Sequence, residues 1–215
     1  MDRTAEYGAP DRRGEIAGHG VGDQVEFGHY PQDSDGEWST IKWIVLAMES
    51  DRALLLSKWG LETSPFHSSG GRILWSKSEL RRWLNGPFCQ MAFEPQELKR
   101  LLYCELENGG SSLYDAPCDQ PTQDRVFLLS PLEVEDYLPR RDWRLCVATP
   151  YAQRRGADMY ESGDRRYEGF FAWWWLRWPG SYGNATYLYS SGDIFNDFGV
   201  ECASGVVRPA LWVAL

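Results

Sequence analysis

The residues with the most chemistry to offer lie in one stretch, Trp178 to Phe198, which reads WPGSYGNATYLYSSGDIFNDF. Tyr and Trp give large contact area with few rotamers to freeze, while Asn, Ser and Gly give hydrogen bonding that adapts to a partner. The chemistry this suits is non-covalent recognition. The candidate contact residues are Trp178, Ser181, Tyr182, Asn184, Thr186, Tyr187, Tyr189, Ser190, Phe195, Asn196, Asp197 and Phe198. Trp178, beside Pro179-Gly180, is the strongest single anchor, because binding hot spots are enriched in Trp and Tyr. Read without regard to function, Tyr187 and Tyr189 are one face of an ordinary solvated strand, and Trp178 is a core plug like its neighbours.

Other chemistries find less support. Asp193, Asn196 and Asp197 offer oxygen ligands for calcium, but no triplet of the E-P-N or Q-P-D kind accompanies them. The five cysteines, Cys89, Cys104, Cys118, Cys146 and Cys202, contain no C-x-x-C pair, and their odd number argues against a fully paired disulfide framework. They read as reduced thiols. Of these, Cys202 lies in the candidate face and Cys146 in a charged loop, so a thiol enzyme would draw on them. His19, His29 and His67 stand at no metal-ligand spacing to one another or to a Cys, so no zinc site is expected. There is no G-x-S-x-G, and Gly109-Gly110-Ser111-Ser112 lacks the Lys of a phosphate loop. No catalytic residue and no cofactor are expected. The pairs Arg140-Arg141, Arg154-Arg155 and Arg165-Arg166 alternate with acids and read as ion-pairing surface; the last could steer an acidic ligand.

The elements that must carry these residues are short. Val25-Glu26-Phe27 starts a first strand, and Asp33-Ser34-Asp35-Gly36 is a turn. Ile41–Leu46 and Ala53–Ser57 form a hairpin, the second member apolar enough to be buried on both faces. Ser76, with Glu79 three residues on, predicts a capping box for a helix that carries Leu80, Trp83 and Leu84 inward. Asn85-Gly86-Pro87 should stop it, and Glu94 to Leu106 reads as a second helix. Arg125–Ser130 is a strand, Pro131–Tyr137 a short helix, and Arg140 to Asp164 irregular, with one short helix near Thr149. Phe171–Arg177, Tyr187–Tyr189 and Val206–Val213 are further strands, the last interrupted by a proline that suits an edge or bulge.

These motifs occur in an order that resembles a bacterial domain family of unknown function: LLLSKWGLE, WSKSELRRWLNGPF, VFLLSPLEV, WWLRWPG and GVVRPALW. The resemblance covers roughly residues 22 to 215. It implies the C-type lectin fold, in the branch shared with formylglycine-generating enzymes. Some proteins with this ending are the variable proteins of diversity-generating retroelements, whose C-terminal segment is rewritten by adenine-directed mutagenesis while the fold persists. On that resemblance Trp174, Trp175, Leu176, Arg177, Arg208, Pro209, Ala210 and Leu211 are scaffold, and the diversified positions fall between Trp178 and Phe198. Two departures stand out: Trp178 replaces the family's Ser, and Gly205-Val206-Val207-Arg208 carries one residue more than Gly-Val-Arg.

Together these readings predict an α+β protein: a disordered tail over residues 1–21, then one C-type-lectin-like domain over 22–215, with a variable region about 173–210. Its short antiparallel strands would carry two main helices and long loops. The expected function is binding of a protein or glycan ligand. The alternatives are an enzyme of the formylglycine-generating type, or a non-diversified structural module of a cell surface or virion. A net charge of −9 disfavours a phosphate backbone, hence nucleic acid. No apolar run is long enough for a membrane span. The charged N-terminus lacks the hydrophobic segment of a secretory signal.

Overall fold

A computed structural model describes residues 16–110, 116–162 and 166–215. The strands in chain order are β1 (Gln24–Pro31), β2 (Trp38–Met48), β3 (Arg52–Ser57), β4 (Glu62–Thr63), β5 (Cys104–Leu106), β6 (Thr122–Asp124) and β7 (Val126–Phe127). They continue as β8 (Met159–Glu161), β9 (Phe170–Ala172), β10 (Trp174–Pro179), β11 (Asn184–Leu188), β12 (Ile194–Gly199), β13 (Val206–Val207) and β14 (Ala210–Ala214). The helices are α1 (Glu79–Trp83), α2 (Cys89–Ala92), α3 (Pro95–Leu98), α4 (Pro131–Tyr137), α5 (Arg141–Arg144) and α6 (Pro150–Arg154). The architecture is mixed α+β, mostly strand.

Two five-stranded sheets carry it. The first has the order β1-β2-β3-β14-β7 and the second β12-β11-β10-β13-β4. In β2 the alternation Ile41, Trp43, Val45 is buried along one face, and the Trp43 indole donates to the Phe27 carbonyl at 2.7 Å. β3 is buried on both sides, as its unbroken apolar run predicts. The turn before β2 is closed by Asp33, whose carboxylate accepts from the amides of Asp35 and Glu37.

Several sequence expectations need correction. In the described part of the expected tail, residues 16–21, Ile16 is buried in the core while most of its neighbours are exposed, and just beyond it Gly22 donates to the Val45 carbonyl at 2.8 Å. Ile16 thus belongs to the folded body; residues 1–15 of that expectation lie outside the described ones. The cap of α1 is Ser78, which accepts from the Arg81 amide at 3.1 Å, because Trp75–Lys77 forms a 3₁₀ turn first. Ser76 bonds Asp119 instead. Asn85-Gly86-Pro87 does not end the helix. The chain passes through one π-helical turn, Leu84–Phe88, into α2, and the Asn85 amide donates to the carbonyls of Arg81 and Val126. The second helix shrinks to the single turn α3, since residues beyond it zip onto β14: Leu102 donates to Trp212 and Ala214 to Arg100. Long-range pairing there outweighs local helix propensity.

The last predicted strand divides. β13 lies in the second sheet and β14 in the first, so Arg208-Pro209 is where the chain changes layers. Arg208 is fully buried; its guanidinium donates to the Ser57 carbonyl at 3.0 Å and stands 5.0 Å from the Trp174 ring centre. Burial lowers its proton affinity. Pro209 sits where no ladder donor is needed, and its carbonyl accepts from Ser57 at 2.9 Å.

Candidate ligand-binding face

The face is built outward from β10, whose six residues WWLRWP are all buried. Trp174 and Trp175 anchor their indoles on the carbonyls of Arg144 and Ser64, at 3.0 and 2.9 Å. Arg177 uses its donors on Glu133, Asn108 and the carbonyls of Leu128 and Glu107. Glu133 also closes the capping box of α4 with Ser130, so one carboxylate fixes both a helix start and the buried cation. These residues are scaffold.

β11 pairs with β10, and β12 pairs with β11 as the edge of the sheet. Tyr187 faces Phe195 across the ladder, while Ala185 faces Phe198. Three residues of β11, 185–187, therefore face four of β12, 195–198, a bulge in which Thr186 opposes both Asn196 and Asp197. It sets Phe195 and Phe198, three apart in sequence, on either side of the Tyr187 ring, at 5.7 and 5.1 Å between centroids. A regular strand would send them to opposite faces. Phe198 continues inward to Trp173 at 4.4 Å, and Tyr189 continues outward to Tyr160 at 5.5 Å. The result is a continuous aromatic ladder from the core to solvent, ending on Phe195 (42% exposed) and Tyr160 (39% exposed). Asp197 accepts from the Tyr187 hydroxyl at 3.2 Å. Burial, and next this carboxylate, push the ionisation of Tyr187 well above the usual phenol range.

At the other end of β11, the turn Gly180–Gly183 faces Gly71 and Arg72 across an open cleft of about 540 Å³. Tyr182 stands on its lip, 98% exposed, in the left-handed backbone region at φ 43°. Gly180 is needed here: a β-carbon would lie 2.1 Å from the Asn196 carbonyl. Arg72, also exposed, has no acidic partner among the described residues.

The structure thus divides the predicted contact residues. Tyr182, Phe195 and Asp197 are exposed, and Ser181, Asn184, Tyr189, Asn196 and Phe198 are partly so. Trp178, Thr186, Tyr187 and Ser190 are buried and cannot present their side chains. Trp178 is 4% exposed, with its indole on the Glu107 carbonyl, so the expected anchor is a plug. The Thr186 hydroxyl is spent on the Trp178 carbonyl, and Tyr187 is the middle rung of the ladder. The candidate calcium oxygens are already engaged: Asp193 holds Arg141 and Ser191, and Asp197 holds Tyr187. Among the described residues no three His, Cys, Asp or Glu side chains converge as a metal site would need.

Sequence reasoning missed Tyr160, because its segment was read as irregular; the alternation Met159-Tyr160-Glu161 was the available signal. The thiols are dispersed in character. Burial pushes Cys89 and Cys104 up to about 11, and raises buried Cys146 as well, which disfavours the thiolate. Cys202 is half-buried against the Ser204 hydroxyl at 3.4 Å. Of the basic pairs, Arg140 holds its neighbour Asp142 locally, while Arg141 holds Asp193 and Arg155 holds Glu62 across long sequence separations. Arg165 lies outside the described residues.

No curated protein matches the chain, and no solved structure matches it. Residues 50–215 do match a family, a narrower span than the motif order suggested; β1 and the whole of β2, the hairpin's first strand, precede it, whereas the whole candidate face lies inside it. The chain belongs to the family described as Domain of unknown function (DUF6273).

Proposed function

We propose that this protein binds a protein or glycan ligand through the outer side of β12, the Tyr189 and Tyr160 rings and the Tyr182 lip, without catalysing a reaction. The observation that carries the reading is the aromatic ladder, which ends in solvent-exposed rings on a sheet edge. Exposed aromatics set on a rigid support supply contact area at small entropic cost. We propose further that the scaffold is C-type-lectin-like and that the exposed positions are the diversified ones of a retroelement variable protein. The motif order from LLLSKWGLE to GVVRPALW supports this, as does the split between an anchored β10 and an open β12.

Selection against peptide-display and glycan libraries tests the binding reading. Ligands recovered on the native protein should lose affinity on Phe195→Ala or Tyr182→Ala while the melting temperature stays within a few degrees. Ligands indifferent to both substitutions would sink it. The diversification reading has a genomic test: a neighbouring reverse transcriptase and a near-copy of the 3′ coding end differing only at adenines. A locus without either leaves a binding protein that is not diversified.

A further inference from the structure

Three features of the face bear on what it binds. The first is the edge: among the described residues β12 has β11 as its one strand partner, and an edge strand is the usual place for an added strand. The second is the arrangement of side chains along that edge. Phe195 and Asp197 are two residues apart and both exposed, and both meet Tyr187, one by its ring and one by its hydroxyl. The third is charge. Asp197 accepts from the Tyr187 hydroxyl, and Asp158, which also meets the Tyr160 side chain, accepts from the Ser204 hydroxyl; neither has a cationic partner among the described residues. Other carboxylates are paired: Asp193 holds Arg141, Asp142 holds Arg140 and Glu62, on the opposite edge strand β4, holds Arg155.

Resting on the binding reading above, we infer that the partner is an extended protein segment carrying Arg or Lys at alternate positions, added along β12. In a strand every second side chain projects to one face, about 7 Å apart. A strand laid on β12 would therefore set one cation over the Phe195 and Tyr189 rings and the next beside Asp197. Aromatic faces attract cations, and a carboxylate lacking an internal counter-ion adds to that attraction. A second copy of the chain fits poorly, because a protein with a net charge of −9 repels itself. The same charge opposes nucleic acid.

The test uses three short fluorescein-labelled peptides that alternate threonine with arginine, with glutamine or with glutamate, titrated against the full chain by fluorescence anisotropy. The arginine peptide should bind, more weakly as salt rises, and the other two should not. Phe195→Ala and Asp197→Asn should each weaken it about fivefold, whereas Glu26→Gln, an exposed charge removed on distant β1, should leave it unchanged. Thermal melts of each variant establish that folding is intact. Equal binding of the glutamine peptide overturns the cationic preference yet leaves the binding face standing. Equal loss on Glu26→Gln shows attraction to net charge alone and overturns the inference. Failure of the arginine peptide, while library ligands remain Phe195-dependent, also overturns it without touching the binding reading; failure of both removes the face itself.

Discussion

β10 and β12 lie in the same sheet, separated by β11, and both are rich in aromatic residues, yet their side chains have opposite fates. All of β10 is buried, with its indoles and its one guanidinium fixed on named carbonyls and carboxylates. β12 alternates between exposed and half-buried residues at the edge. Composition does not separate the two; position in the sheet does. A strand flanked by β11 and β13 has neighbours on both sides, and the loops of Asn108, α4 and Ser64 cover its faces. A strand at the edge has one neighbour, and the bulge in β12 is what brings both Phe195 and Phe198 onto the Tyr187 ring. The lesson extends to single residues: Trp178 and Tyr182 are four apart, one a plug and one almost wholly in solvent.

That contrast can be broken from the β10 side. Trp175→Ala should cost about 3–5 kcal/mol, as for other large aromatic truncations, read as a lowered urea midpoint with little change in slope. Arg177→Ala should cost a similar amount, about 3–5 kcal/mol, because Glu133 and several carbonyls lose their shared donor at once. A shift below about 1 kcal/mol in either would mean that β10 is not the anchor. Trp178→Ala should fall next, at about 3 kcal/mol, at the lower end of the Trp range since its indole bond is long at 3.4 Å. A variant that keeps its melting temperature but loses ligand would return Trp178 to the contact surface.

The β12 side sharpens the comparison with smaller effects. Gly180→Ala should destabilise by about 1–3 kcal/mol, as overpacking against the fixed Asn196 carbonyl requires. It should also raise amide exchange in β12 more than in β10. Tyr182→Ala should change stability by no more than about 0.5 kcal/mol in the same denaturation series. A large cost there would show that the cleft lip is structural.

Much of the scaffold was legible in the chain. The hairpin of β2 and β3, the α4 segment and the buried Trp174-Trp175 announce themselves through alternation, turn formers and apolar runs, all local signals. The helix after Trp75 was located but its cap was not, because Ser76 and Ser78 are equivalent by local chemistry and only Asp119, brought in by a distant loop, claims Ser76. The expected helix over Glu94–Leu106 failed for the same reason: β14, more than a hundred residues on, competes for its backbone.

The candidate face was half legible. Its location between Trp178 and Phe198, its aromatic and amide content and its lack of basic charge follow from residue types alone. What the sequence determined by itself was therefore a set of side chains suited to recognition and the order of short elements that carry them. Only the tertiary structure decided which of those side chains reach solvent. That outcome depends on which strand is central, where β12 bulges and which loop arrives over Trp178, and each of these is fixed by contacts between residues far apart in the chain. The same contacts brought Tyr160 to the end of the ladder; the local alternation Met159-Tyr160-Glu161 could mark a strand but not its neighbour Tyr189.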